Sequence, residues 1–331
     1  RQQSGSITID YEYDPLYRLN EANYSTGDYY HYTYDSVGNR KSQDTMISGL
    51  LTNTAYDYDD ANRLVDVNGV PYTWDANGNL LNDGTNTYAY DSANRLTSMS
   101  NQSTVSSYQY NGLGDRLSQT VNGDTTNYTL DLNAGLTQVL NDGTNSYLYG
   151  NGRIAQTAGA TTEYFLGDAL GSVRQLTDAQ GDITLANAYE PYGTLAQSAG
   201  GAQTSYGFTG EFTDPSGMVY LRARYYMPND GRFLTRDTWI GDYNSPLSLN
   251  RWMYVEGNPI MYVDNTGLSG SSSLAIFAIP FQSHLPGNGL EKTSWTETEK
   301  RLIDIALWNI SSAYARAYNF YHPEMDCLIS N

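Results

Sequence analysis

The sequence predicts an all-β fold of stacked β-hairpins, closed by a small α-helical C-terminal segment. Three observations carry this. The composition is rich in turn and strand residues: 331 residues include 31 Tyr and 31 Gly but only 7 Phe and 10 Pro. One aromatic-acidic pattern recurs six times. Dipeptides that favour tight hairpins fall between the recurrences.

The recurring pattern is aromatic-x-aromatic-Asp, a short gap, then Asn-Arg-Leu or a variant. It reads YEYDPLYRL at Tyr11 to Leu19, YTYDSVGNR at Tyr32 to Arg40 and YDYDDANRL at Tyr56 to Leu64. It continues as YTWDANGNL at Tyr72 to Leu80, YAYDSANRL at Tyr88 to Leu96 and YQYNGLGDRL at Tyr108 to Leu117. The second aromatic falls at Tyr13, Tyr34, Tyr58, Trp74, Tyr90 and Tyr110, in steps of 21, 24, 16, 16 and 20 residues. Alternation along a strand sends both rings of each pair to one face. The Asp and the Asn or Gly after it turn the chain, because these residues tolerate left-handed backbone. Asn68-Gly69, Asp83-Gly84, Asn122-Gly123 and Asp142-Gly143 are expected to form two-residue hairpin turns. A lone hairpin is marginal, so the hairpins must stack and bury one another's rings.

Charge and cysteine content narrow the function. Charged residues are 16% of the chain, and 36 acidic against 18 basic residues give a formal net charge of −18. That argues against nucleic-acid binding by the body of the chain, since phosphate contact needs clustered Lys and Arg. One cysteine, Cys327, allows no disulfide framework and no thiolate metal cluster. The most apolar run, Ser273 to Phe281, is far shorter than the roughly 18 residues of a membrane span. No signal peptide is visible and the first residue is Arg1, so the sequence reads as a fragment of a longer protein. The run Tyr56-Asp57-Tyr58-Asp59-Asp60 lacks the spaced oxygens of a calcium loop, and no cofactor motif occurs.

The six units resemble the YD repeats of Rhs proteins, teneurins and the C components of toxin complexes, over roughly Ile7 to Leu268. The resemblance implies a long sheet coiling into a shell or barrel-like wrap that often encloses the C-terminal segment. A second, more specific signature begins at Tyr164 with YFLGDALGSVRQLTDAQGDI, then YEPYGTL at Tyr189 to Leu195. YGFTGEFTDPSGMVYLRARYYMPNDGRFLTRDTW follows, Tyr206 to Trp239, and the run ends at Asn258-Pro259 through Asp264-Asn265-Thr266-Gly267-Leu268. This resembles the Rhs repeat-associated core. The chain divides accordingly into a hairpin region (1–163), the core (164–268) and a variable segment (269–331). Within the core, Leu221 to Tyr226 is expected to be one strand whose arginines pair with carboxylates.

The resemblance implies self-cleavage just after the last motif, between Leu268 and Ser269, by an aspartyl-type mechanism. Asp237, which follows GRFLTR, and Asp264 are the implied acids, with Arg236 and Arg232 placed to orient a carboxylate or an oxyanion. Peptide hydrolysis needs a base and an acid, and two adjacent carboxyls divide those roles because both do not ionise together. The plain alternative for both aspartates is turn capping. Two departures stand out: Asn265 replaces the family proline, and Met253 occupies the position where toxin-complex C components carry their second Asp.

Ser269 to Asn331 reads as the variable payload. Thr296 and Glu299 form a capping box, Trp295 is placed for a hydrophobic staple, and an apolar stripe from Leu302 to Ala317 predicts a helix at about 296–321. His284, His322, Glu324, Asp326 and Cys327 fit no ligand spacing. The expected function is a secreted or cell-surface bacterial toxin carrier of the Rhs type. Its partners would be its own C-terminal segment as cargo, an immunity protein, secretion machinery or a cell-surface glycan. The competing readings are a non-catalytic surface protein that stacks carbohydrate on its tyrosines, and a scaffold whose cleavage has decayed.

Overall fold

The computed structural model describes residues 7–150 and 152–268, and the two-residue strand Ser273–Leu274. The expected helix at 296–321 lies outside the described residues.

The strands of the four sheets that follow pair antiparallel. Consecutive strands pair in chain order in three sheets: β1 (Ile9–Tyr13) to β7 (Val70–Pro71), β8 (Thr73–Trp74) to β14 (Asp124–Asn127), and β15 (Thr129–Asp131) to β22 (Leu195–Gly200). A small fourth sheet holds β23 (Phe212–Thr213), β24 (Val219–Leu221), β25 (Arg224–Met227) and β26 (Arg232–Phe233). The boundary at 163/164 falls inside β19 (Thr161–Gly167), because the hairpin array runs on to Gly200 before the chain leaves it.

Each repeat builds the same hairpin. In β3 (Tyr29–Tyr34), Tyr30 and Tyr32 are buried and the Thr33 between them and Tyr34 is exposed. The register slips at the second aromatic of every unit, at Tyr13, Tyr34, Tyr58, Trp74, Tyr90 and Tyr110. Such a bulge bends the strand and sharpens its twist. The following acid then closes the turn. Asp35, for example, accepts the backbone N–H of Val37 and Asn39 and the Asn39 side chain. The residue three after the acid, or after Asn111 in the sixth unit, takes a left-handed φ: Tyr17, Gly38, Asn62, Gly78, Asn94 and Gly114. Gly and Asn suit that position; Tyr17 adopts it without their advantage.

In four of the units the second aromatic also ties the hairpin to the unit before it. Tyr34 OH donates to the Leu19 carbonyl, Tyr58 OH to Arg40, Trp74 Nε1 to Leu64 and Tyr110 OH to Leu96. The ladder continues past the sixth unit, with Tyr149 OH on Val139 and Tyr189 OH on Val173.

Two of the four expected tight turns differ. Asn68-Gly69 and Asn122-Gly123 are two-residue turns, with Val67 opposite Val70 and Val121 opposite Asp124. Asp83-Gly84 and Asp142-Gly143 instead open four-residue Asp-Gly-Thr-Asn loops. Their aspartates turn inward because a tyrosine hydroxyl meets each carboxylate: Tyr88 at 2.7 Å and Tyr147 at 2.5 Å.

The segment Tyr206 to Asp264 fills the interior. Met218, Tyr225 and Leu234 pack against Leu80, Tyr88, Leu96, Met99 and Tyr108 of the second sheet. Tyr206 and Phe212 pack against the third, among Tyr128, Tyr147, Val173 and Leu176. Buried arginines seated on tyrosine faces join array to core. Arg40 lies over Tyr32, Tyr56 and Tyr192, and Arg116 lies over Tyr128, Phe212 and Tyr220 while pairing with Asp214 at 2.7 Å. The reach along the chain is long: the Asn258 side-chain amide donates to the Tyr17 carbonyl, 241 residues away in sequence. Between array and core lies a recess of about 980 Å³, lined by Tyr72, Asp83, Tyr88, Asp142 and Asp230 among others.

Candidate self-cleavage site

Leu221 to Tyr226 is a hairpin, not one strand. Leu221 pairs with Arg224, which leaves Arg222-Ala223 as the turn. Arg222 takes φ +59°, a value costly for a residue with a Cβ. The turn is worth its strain through what it grips. The Arg222 guanidinium donates to the Asn265 carbonyl, the Ala223 N–H to the Thr266 carbonyl at 3.1 Å, and Arg224 Nε to the Gly267 carbonyl. Three consecutive carbonyls just upstream of Leu268 are thereby pinned. Gly267 has φ +70°, and a Cβ there would lie 2.3 Å from the Leu221 carbonyl oxygen, so only glycine fits.

Arg224 brings Asp237 and Asp264 together. Its Nη2 lies 2.7 Å from Asp237 Oδ2 and 3.7 Å from Asp264 Oδ2. Asp237 is fully buried and Asp264 is 4% exposed. Arg224 is closed in further by the Phe233 ring, 3.5 Å from its guanidinium carbon, and by the Arg251 carbonyl at 3.0 Å. Burial pulls the Arg224 guanidinium down to about 10, against the upward pull of the two carboxylates, so it remains a cation at neutral pH.

The two acids are held differently. Asp237 Oδ1 accepts the Trp239 N–H at 2.8 Å, and its own N–H donates to the Arg251 carbonyl. Asp264 Oδ1 accepts the Thr266 N–H and hydroxyl and the Gly267 N–H. Asp264 Oδ2 accepts no hydrogen bond from the described residues. Both aspartates therefore do cap turns, and both also face one buried cation. The arrangement is a carboxylate–guanidinium–carboxylate triad, and it differs from a pair of carboxyls sharing a proton, because a guanidinium lies between the two acids.

The other expected residues sit as follows. Arg236 is exposed, and its backbone N–H donates to the Gly78 carbonyl. Arg232 is buried against the repeats, donating to Asn39 Oδ1, the Asn62 carbonyl and Asn250 Oδ1. Met253 is buried beside Gly38. Asn265 presents its carbonyl to Arg222, a contact that a proline at this position would also offer. Leu268 is 40% exposed, and Ser269 lies outside the described residues. Sequence reasoning links the arginines of Leu221 to Tyr226 to carboxylates but does not single out Arg224 as the bridge. The repeat rings turn inward; of the six units' tyrosines, Tyr17 is the exposed one.

A family model described as Teneurin YD-shell matches residues 2–260. The chain belongs to this YD-shell family. Its YD-shell relatives include tRNA nuclease WapA of Bacillus subtilis (strain 168), 31% identical over 268 residues, which cover 77% of this chain and 12% of the relative. Teneurin-3 of Mus musculus is 25% identical over 317 residues, 90% of this chain and 12% of the relative. The chain thus spans about an eighth of the length of these relatives. A crystal structure of TcdB2-TccC3-Cdc42 superimposes with a TM-score of 0.63 at 20% identity, over 78% of this chain and 15% of that one, and shows the shared fold. The protein is an Rhs/YD-repeat protein related to toxin-complex components and teneurins.

Proposed function

We propose that the chain is part of a bacterial Rhs-type toxin carrier, secreted or held at the cell surface, that cuts itself between Leu268 and Ser269 and frees the segment beyond. The single observation behind this reading is the buried Asp237–Arg224–Asp264 triad, whose central arginine also grips the carbonyl next to Leu268. A buried charge cluster is costly and weak as a stabilising device, so one whose arginine holds the carbonyl next to the exposed Leu268 points to chemistry. Asp264 Oδ2 is the acceptor left over to take a proton from water, and Arg224 balances the charge that develops. A relative named as a toxin supports the wider setting: toxin protein Tse5 of Pseudomonas aeruginosa is 30% identical over 110 residues. The recess of about 980 Å³ has the volume of a small-molecule pocket, far less than the 63 residues after Leu268 require. Enclosing that cargo takes further hairpins.

The test is direct. Purified wild-type chain, incubated at neutral pH, yields a fragment whose first residue is Ser269 on N-terminal sequencing. Asp237→Asn yields none. A wild-type chain that stays intact refutes the reading.

A further inference from the structure

We propose that the Thr266 hydroxyl is a catalytic group of this cut, donating a hydrogen bond to the Leu268 carbonyl oxygen as that oxygen gains negative charge. The inference rests on the self-cleavage reading and adds a residue to it.

Thr266 Oγ1 lies 3.3 Å from the Leu268 carbonyl oxygen and 3.0 Å from Asp264 Oδ1. It also accepts the Leu268 N–H at 3.2 Å. A hydroxyl has one proton to give, so its two acceptors compete. In the uncut chain the carboxylate is nearer and charged, and it takes the proton. Addition of water to the Leu268 carbonyl carbon turns the carbonyl oxygen into an alkoxide, a stronger acceptor than before. The contact to Leu268 is long for an O–H···O bond, so it can shorten as charge develops. An interaction that strengthens between ground state and transition state is the kind that speeds a reaction.

The surrounding geometry keeps Thr266 in place. Its carbonyl accepts the Ala223 N–H, its N–H donates to Asp264 Oδ1, and the carbonyls on either side are held by Arg222 and Arg224. The backbone is therefore fixed up to Gly267, and the hydroxyl is the side-chain donor on the next carbonyl. The chemical balance is that of amide hydrolysis. Water loses a proton to Asp264 and bonds to the Leu268 carbonyl carbon. The bond to the Ser269 nitrogen breaks, and that nitrogen receives the proton. Thr266 ends with the proton it began with.

The experiment compares Thr266→Val, Thr266→Ser and wild type in the full chain, following fragment release by gel and thermal unfolding by circular dichroism. Valine keeps the β-branched shape and removes the donor; serine keeps the donor. The expected result is a cleavage rate reduced roughly hundredfold or more in Thr266→Val, as for loss of one oxyanion donor. Thr266→Ser should stay within about fivefold of wild type, with melting unchanged in both. Wild-type speed in Thr266→Val, with Asp237→Asn still inactive, overturns the role of Thr266 and leaves self-cleavage standing. Thr266→Ser as slow as Thr266→Val assigns the effect to shape and overturns it too. If Thr266→Val unfolds, the serine rate decides. An uncut wild type overturns both readings.

Discussion

Single buried charges set the chemistry of this molecule. Asp230 is the clearest case outside the triad. Burial pushes its carboxyl up to about 6, although Arg40, the Tyr72 hydroxyl and Arg232 all favour the charged form. The unfolded value is near 4, so the folded state binds the proton more tightly between about pH 4 and 6. Stability from this group is therefore fully present below about pH 4 and is lost as the pH rises through 6. Asp230→Asn, which can still accept from Tyr72, should leave stability unchanged at pH 4 and raise it by about 3 kcal/mol at pH 8, since each tenfold change in proton affinity corresponds to about 1.4 kcal/mol. Paired urea unfolding curves at the two pH values check this. A gain of equal size at both refutes the assignment.

The hairpin is the natural element of the fold, and most of it is legible in the sequence. The inward tyrosines, the capping acid and the left-handed position three residues later all lie within one motif, so spacing alone reveals them. Where a structure depends on distant partners, spacing fails. Asp83-Gly84 looks the same as a tight-turn dipeptide, but the inward pull of Tyr88 on the aspartate makes a longer loop. Arg222 takes a conformation usually left to Gly or Asn because Asn265 and Glu211 hold its guanidinium, so alternation alone mistakes the hairpin at Leu221 to Tyr226 for one strand. The Arg224 bridge leaves no trace in the spacing, since its two acids approach from different loops. The ladder of second aromatics gives a prediction with its own control. Tyr110→Phe strands the Leu96 carbonyl and should cost about 1 kcal/mol in chemical denaturation. Tyr90→Phe removes a buried hydroxyl with no hydrogen-bond partner among the described residues, and should cost nothing or stabilise.

Over residues 7–268 the fold is an array bound to its own core by long-range contacts. Arg116 and Asp214 are both almost wholly buried, and Asp214 Oδ2 already lacks a hydrogen bond among the described residues. Arg116→Leu leaves that carboxylate without its cation and should cost about 3–5 kcal/mol. Adding Asp214→Leu should recover much of the loss, because an apolar pair needs no compensation. The order of synthesis gives the contact from Asn258 to Tyr17 a different meaning. A ribosome makes Tyr17 at a point 241 residues before Asn258, so the hairpin at Tyr17 waits while all of those residues are synthesised before this partner exists. Closure of so long a loop is slow. The proposed cut site follows Asn258 by only ten residues. If the proposed cut takes place there, release of the downstream segment would act as a clock that starts only once the last turn of the core has been made and seated.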